Sequence, residues 1–253
     1  DAGSDVRSMR TFARRDGSDF VINGSKHFIS HADVADFVIL CAATGEAGGK
    51  KTISCFLVDF DTPGLTRRRG PKCVSHRGYH QCELIFEDCR VPVANRVGAE
   101  GDGFRFAMAG LDGGRLNIGA CSLGGAQRCL DESIAYTKER QQFGQPVSEF
   151  QNTQFMLADM ATDLEAARAL LYIAAAKVTA NAPDKSRFSA MAKRLSTDSG
   201  SEIVNQALQL FGGYGYLRDY PIERFWRDLR VHSILEGTNQ VMRMIIGRDL
   251  LRQ

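Results

Sequence analysis

The chain reads as an α+β protein, with an antiparallel β-domain over residues 1–97 followed by a C-terminal four-helix bundle over residues 98–253. Three observations lead there. Up to about residue 97 the apolar residues come in short runs broken by Gly- and Asn-containing turns. From about Asp102 the apolar period becomes that of helices. No helical pattern interrupts the strand region, which argues against an alternating βα fold.

In the β-domain, Met9 to Arg15 is followed by Asp16-Gly17, Phe20 to Ile22 by Asn23-Gly24, and then comes Lys26 to Ser30. Asp-Gly and Asn-Gly match the twist of two-residue hairpins, so the pattern predicts a meander of antiparallel strands. Phe37 to Ala42, Ile53 to Asp59 and Glu83 to Phe86 read as further strands, with Gly45 to Lys51 and Pro63-Gly64 as loops. No G-x-G-x-x-G follows a strand, and Gly49-Lys50 lacks the flanking residues of a P-loop. Phe28 and Ser30 lie two apart, on one face of their strand. An aromatic beside a hydroxyl suits a ring cofactor; the plainer reading is a core Phe and a Ser bonded to backbone.

In the bundle, the first helix runs roughly from Gly103 to Arg140, with Met108, Leu111, Ile118, Gly125 and Cys129 on one stripe. Arg115 falls in phase with them. A guanidinium in an apolar stripe calls for a specific partner, unless it snorkels from the helix edge. Helix two spans about Gln151 to Ala180, and Leu157, Met160, Leu164, Ala167, Leu171, Ala174 and Val178 form a bundle seam. Helix three runs from about Asp184 to Phe211, and Pro221 to Asp228 reads as a short irregular element. Thr238 caps a final helix to about Leu250. Gly212-Gly213 fits a helix C-cap, and also fits close approach of a ligand's phosphates to the backbone. Arg140 to Gly144 ends helix one, where an Arg is commonly a dipole partner.

Composition narrows the class. The 253 residues are 43% hydrophobic and 25% charged with a net charge of +2, which gives no case for nucleic acid or an anionic membrane. No apolar run reaches the ~18 residues of a membrane span. The seven cysteines (41, 55, 73, 82, 89, 121, 129) form no C-x-x-C pair. They read as reduced packing thiols of an intracellular protein, with no metal site. The sequence opens at Asp1 within a loop-like segment, so residues are expected to precede it.

One stretch carries the candidate chemistry: Ile234-Leu235-Glu236-Gly237-Thr238-Asn239-Gln240. Apolar neighbours disfavour a charged carboxylate, which suits a general base. An acidic loop residue before a capped helix explains the same pattern.

Six motifs taken in order resemble the acyl-CoA dehydrogenase family of flavoenzymes. They are Ala2-Gly3-Ser4-Asp5, Lys26-His27-Phe28-Ile29-Ser30, and Phe86-Glu87-Asp88 with Val91-Pro92. Then come Arg140-Gln141-Gln142-Phe143-Gly144 with Gln151, Gln209-Leu210-Phe211-Gly212-Gly213, and Glu236-Gly237-Thr238-Asn239-Gln240. The resemblance implies that an N-terminal helical domain and the start of the β-domain lie outside this chain. It makes Glu236 the catalytic base. Some relatives carry that base on the first long C-terminal helix, at the position of Gly114, which cannot serve. It implies FAD contacts at Phe28, Ile29 and Ser30, at Arg140, Gln141, Gln142, Phe143 and Gln151, at Gln209, Leu210, Phe211, Gly212 and Gly213, and at Thr238, Asn239 and Gln240. Phe28 stands where the family has Trp, and Ser30 where it has Thr, which keeps the hydroxyl. Acyl-CoA contacts are implied at Ser4, Asp112, Gly113, Gly114, Arg115 and Gly237. Leu111 to Arg115, Phe28 to Ser30 and Gly212 to Leu217 look most like the short branched-chain members, such as the isobutyryl-CoA dehydrogenases.

The resemblance further implies α,β-dehydrogenation of an acyl-CoA thioester, with Glu236 taking the α-proton and flavin N5 the β-hydride. Electrons would pass to electron-transferring flavoprotein. A homo-oligomer is implied, typically a tetramer, in the cytoplasm of a bacterium or the mitochondrial matrix of a eukaryote. The alternatives are an acyl-CoA oxidase discharging to oxygen, a flavin monooxygenase, which would not need Glu236, and a non-catalytic assembly or scaffold relative.

Overall fold

In the computed structural model, which describes residues 2–252, strands fill the chain to Val97 and the first long helix starts at Gly103. The chain folds as two compact units, the first ending at Ala109 and the second beginning at Gly110.

The first unit is built on a seven-stranded sheet: β1 (Phe12–Asp16), β2 (Asp19–Ser30), β3 (Phe37–Ala47), β4 (Lys50–Asp59), β5 (Leu65–Arg69), β6 (Gln81–Pro92) and β7 (Arg96–Val97). Their spatial order is β5-β6-β2-β1-β3-β4-β7. The pairs are antiparallel except β1 with β3, which meet in parallel at Phe12 and Ala43. The expected simple meander is therefore corrected to a mixed sheet. Alternate residues of the central strands bury one face: Phe20, Ile22, Leu40, Phe56, Leu84 and Phe86 form the core. Phe20 and Phe56 meet edge-on, centroids 4.9 Å apart.

The Asp16-Gly17 turn forms as expected, but Asn23-Gly24 does not turn the chain. Asn23 pairs with Phe12 while the β2–β6 register shifts between Ile22 and Gly24. Gly24 has φ +133°, and a Cβ there would lie 2.6 Å from the Thr11 Cα. Glycine is thus required for a bulge and a close backbone approach, not for a hairpin. The expected loop from Gly45 to Lys51 is mostly strand, turned by Gly48-Gly49 alone, both at positive φ.

The second unit contains most of α1 (Gly103–Glu139), then α2 (Gln151–Thr179), α3 (Lys185–Phe211), α4 (Ile222–Leu229) and α5 (Asn239–Leu250). Among the described residues this makes five α-helices rather than four, because the stretch read as irregular folds into α4. Helix one stops at Glu139, and Gln141–Gln142 (β8) pairs with Gln145–Pro146 (β9) in a small hairpin. Helix α3 packs against α2, α4 and α5. Leu123, Leu130, Met160, Leu164, Ala167, Ile203, Val204 and Phe211 fill the space between helices. The α2 seam is as expected, with Met160, Leu164, Ala167 and Ala174 buried. Among the described residues no helix is long and apolar enough to cross a membrane.

Candidate functional site

The loop from Ile234 to Thr238 is held at both ends. Backbone bonds tie Ile234 and Leu235 to Val231, and Thr238 accepts the Val241 N–H as the α5 N-cap. Between them Glu236 has φ +53° and Gly237 φ +89°. A left-handed non-glycine residue costs on the order of 1–3 kcal/mol and persists only where its surroundings fix it. Glu236 reaches α1. A Cβ built on Gly114 would lie 2.5 Å from Glu236 Oε2. A side chain at 114 would require this carboxylate to move.

The neighbourhood of Glu236 is not the apolar one its flanking residues suggest. Ile234 is exposed. Two buried cations instead interact with the Glu236 charge, Arg115 and Lys193. Arg115 Nη1 donates to Asp112 Oδ1 at 3.0 Å, and Ser186 Oγ donates to Asp112 Oδ2 at 2.6 Å. The in-phase guanidinium thus has its specific partner. Burial lowers the Arg115 pKa, with Asp112 and Glu236 opposing. Arg115 Nε is buried without a hydrogen-bond partner. Asp112 is itself buried with both oxygens bonded within the protein, so it positions Arg115 rather than reaching outward.

Lys193 on α3 is 0% exposed. Its Nζ donates to the Gly237 carbonyl and to Asn239 Oδ1, both at 2.9 Å. Burial pulls its pKa down to about 8, Asp198 and Glu236 opposing and Arg115 adding to the shift. Asn239 is buried as well, and its Nδ2 donates to Thr197 Oγ1 and Asp198 Oδ1. Its side chain is occupied beneath the loop and braces it.

A second cluster collects residues expected to touch FAD. A groove of about 450 Å³ is lined by Tyr136, Arg140, Gln142, Leu210, Gly212 and Gly213, among others. Phe211 also lines it, but its ring is buried and stacked on Tyr136, centroids 4.1 Å apart. Gly212 ends α3 at φ +57°, and nothing lies within 4 Å of where its Cβ, or that of Gly213, would stand. The glycine pair stops the helix, as a C-cap does, and leaves bare backbone facing open space. A guanidinium, the Gln142 amide, aromatic rings and bare backbone suit an anion joined to rings, which is the chemistry of a dinucleotide. Gln209, Gln141, Gln151 and Gln240 are exposed near helix or hairpin ends, while Thr238 is half-buried as a cap. Phe143, at φ +52° on the β8–β9 turn, is 94% exposed.

In the first unit the Phe28-Ile29-Ser30 strand end is bulged, with a register shift between Lys26 and Ile29 and φ +58° at Phe28. Phe28 is 64% exposed and Ser30 is exposed, while Ile29 between them packs on the core. Phe28 is therefore not a core residue, and Ser30 is bonded to a side chain, not to backbone. Ser30 Oγ accepts from Gln81 Nε2 at 3.0 Å. Ser4 is exposed in the same unit.

Sequence reasoning missed Lys193, Ser186 and the buried pair Ser122 Oγ and His232 Nδ1, 2.7 Å apart. A Lys at the third position of Met191-Ala192-Lys193 inside an Ala- and Ser-rich buried face was the available signal.

Comparison with known proteins agrees with this layout. Residues 1–89 match the acyl-CoA dehydrogenase middle domain, and residues 101–251 match the acyl-CoA dehydrogenase C-terminal domain. The mitochondrial isobutyryl-CoA dehydrogenase of Dictyostelium discoideum is 50% identical over 98% of this chain. That of Bos taurus is 46% identical over 100% of it. The chain spans 60% of the length of both relatives. The solved butyryl-CoA dehydrogenase of Megasphaera elsdenii is 39% identical with a TM-score of 0.95, over 99% of this chain and 65% of that one.

Proposed function

The chain belongs to the acyl-CoA dehydrogenase family, and from that premise we propose that it carries the proton-abstracting and flavin-holding parts of an FAD-dependent acyl-CoA dehydrogenase. The reaction is α,β-dehydrogenation of a short or branched-chain acyl-CoA thioester to the 2-enoyl-CoA. The observation that carries this reading is the convergence of Glu236 and Gly114. The family resemblance puts its base at one of these two positions, and the Glu236 carboxylate occupies the space in front of the other.

Glu236 takes the α-proton of the substrate. The left-handed backbone at Glu236 keeps the carboxylate aimed, and Lys193 and Asn239 hold the loop from beneath. An α-C–H is a weak acid, so the thioester oxygen needs a fixed donor. The backbone N–H of Glu236 serves there, and such a donor is worth about 3–4 kcal/mol. Arg115, fixed by Asp112, orients the thioester side of the site. Arg140, Gln142, Gly212 and Gly213 line the dinucleotide groove, and the Phe28–Ser30 strand end presents a flat ring and a hydroxyl. FAD, when bound, supplies the two-electron acceptor for the hydride leaving the β-carbon.

The resemblance to isobutyryl-CoA dehydrogenases at 50% and 46% identity supports a branched acyl group. Membership of the acyl-CoA dehydrogenase family supports a homo-oligomer. Electrons then pass to electron-transferring flavoprotein. The test is anaerobic flavin bleaching of the full-length protein with isobutyryl-, 2-methylbutyryl-, butyryl- and longer acyl-CoAs, followed by reoxidation. Fast bleaching by a short or branched substrate with reoxidation by electron-transferring flavoprotein supports the reading. Reoxidation by oxygen alone makes it an oxidase, and no bleaching by any acyl-CoA removes it.

A further inference from the structure

Cys41 on β3 and Cys55 on β4 are direct cross-strand partners, and their sulfurs lie 3.2 Å apart. Both are free thiols. Leu40, Ala42 and Phe56 beside them point into the sheet core, so the pair occupies the opposite face. Cys55 is buried there, with its Sγ 3.8 Å from the Gly103 carbonyl. Cys41 is only half-buried. Residues opposed on antiparallel strands have Cα atoms roughly 4.5–5.5 Å apart, and a disulfide spans about 4.4–6.8 Å. Closing the sulfurs to a bond of about 2.05 Å therefore asks for side-chain rotation and no strand movement.

The two thiols are not equivalent. Burial pushes the Cys55 thiol up to about 12, with the hydrogen bond it shares with Cys41 adding and Lys26 opposing. Lys26 acts electrostatically on both sulfurs. Cys55 thus keeps its proton, and Cys41 is the sulfur with access to solvent. The thiolate is the reactive form, and access selects which sulfur is oxidised first.

We propose that Cys41 and Cys55 form a modification site, a dithiol that a peroxide converts reversibly to a disulfide, with Cys41 reacting first and Cys55 resolving. The Cys41 thiolate attacks one peroxide oxygen and the O–O bond breaks. Cys41 becomes a sulfenic acid, and the departing hydroxide takes the proton Cys41 gave up and leaves as water. Cys55 Sγ then attacks the Cys41 sulfur. The S–S bond forms, the S–O bond breaks, and hydroxide leaves with the Cys55 proton as a second water. Two electrons move from the sulfur pair to the peroxide. The product locks β3 to β4 and removes the S–H that Cys55 presents to Gly103 at the start of α1.

The experiment treats the natively folded full-length protein with hydrogen peroxide, alkylates the remaining thiols, digests it and maps the peptides by mass spectrometry. The expected result is a linked pair of peptides carrying residues 41 and 55, lighter by two hydrogens and separated by dithiothreitol. In Cys55→Ser, Cys41 stops at the sulfenic acid and is trapped by dimedone. In Cys41→Ser no link forms. The proposal is overturned if Cys41 and Cys55 are both alkylated after a dose that oxidises the exposed Cys73 or Cys121. It is equally overturned if Cys41 pairs with another cysteine instead.

Discussion

Glu236 and Gly114 share one space: the Glu236 Oε2 lies 2.5 Å from the point where a side chain at 114 would begin. The glycine and the carboxylate are a matched pair. Gly114→Ala adds one methyl at that point and raises helix propensity by about 1 kcal/mol, so the fold should be kept while the carboxylate is pushed aside. A misplacement near 1 Å costs up to about 100-fold. We expect the rate of flavin reduction by substrate to fall roughly 10- to 100-fold with little change in the unfolding midpoint. Moving the base, by combining Glu236→Gly with Gly114→Glu, should restore part of the activity that Glu236→Gly loses. Unchanged rates in Gly114→Ala would show that the carboxylate does not work from this position.

Asp112 carries the cost of burying Arg115. Removing one partner of a buried ion pair leaves an uncompensated charge, at about 3–5 kcal/mol. Asp112→Ala should therefore lower stability by that order in denaturant melts. A loss well under about 1 kcal/mol would mean that Arg115 is neutralised by something other than Asp112.

Lys193 ties stability to pH. Its pKa is depressed in the fold to about 8 from an ordinary value of 10.5. Between those values the unfolded chain holds a proton that the folded chain has released, so stability rises with pH across that window. From about pH 7 to about pH 9.5 the contribution grows by roughly 2 kcal/mol. Melts of wild type and Lys193→Met at both values should show the difference between them shifting in favour of wild type. A flat difference would mean the ammonium is not held in this buried setting.

The three long helices were legible because a 3.6-residue pattern sustained over many turns leaves little choice, and Thr238 announced α5, whereas the eight residues of α4 were too few to show a period. Edge strand β5 was not, since Thr66, Arg67, Arg68 and Arg69 are all exposed and show no alternation. Asn23-Gly24 misled because a bulge and a turn both ask for glycine at an unusual φ. At the site, Glu236 was legible through its motif, and Arg115 through its phase in an apolar stripe. Lys193 was hidden because a lysine in a helix normally faces water, and only tertiary packing shows that it braces Gly237. The Cys41–Cys55 pair was hidden because cross-strand register, not sequence spacing, brings residues 14 apart together.

The role of Glu236 is tested most directly by mixing flavin-loaded full-length Glu236→Gln with isobutyryl-CoA without oxygen and following the flavin absorbance. The amide keeps the shape of the side chain and cannot take a proton. Substrate should still bind while flavin reduction falls by about 100-fold or more, general-base catalysis alone being worth roughly 100- to 10,000-fold. Reduction of the flavin at the wild-type rate would contradict a proton-abstracting role for Glu236.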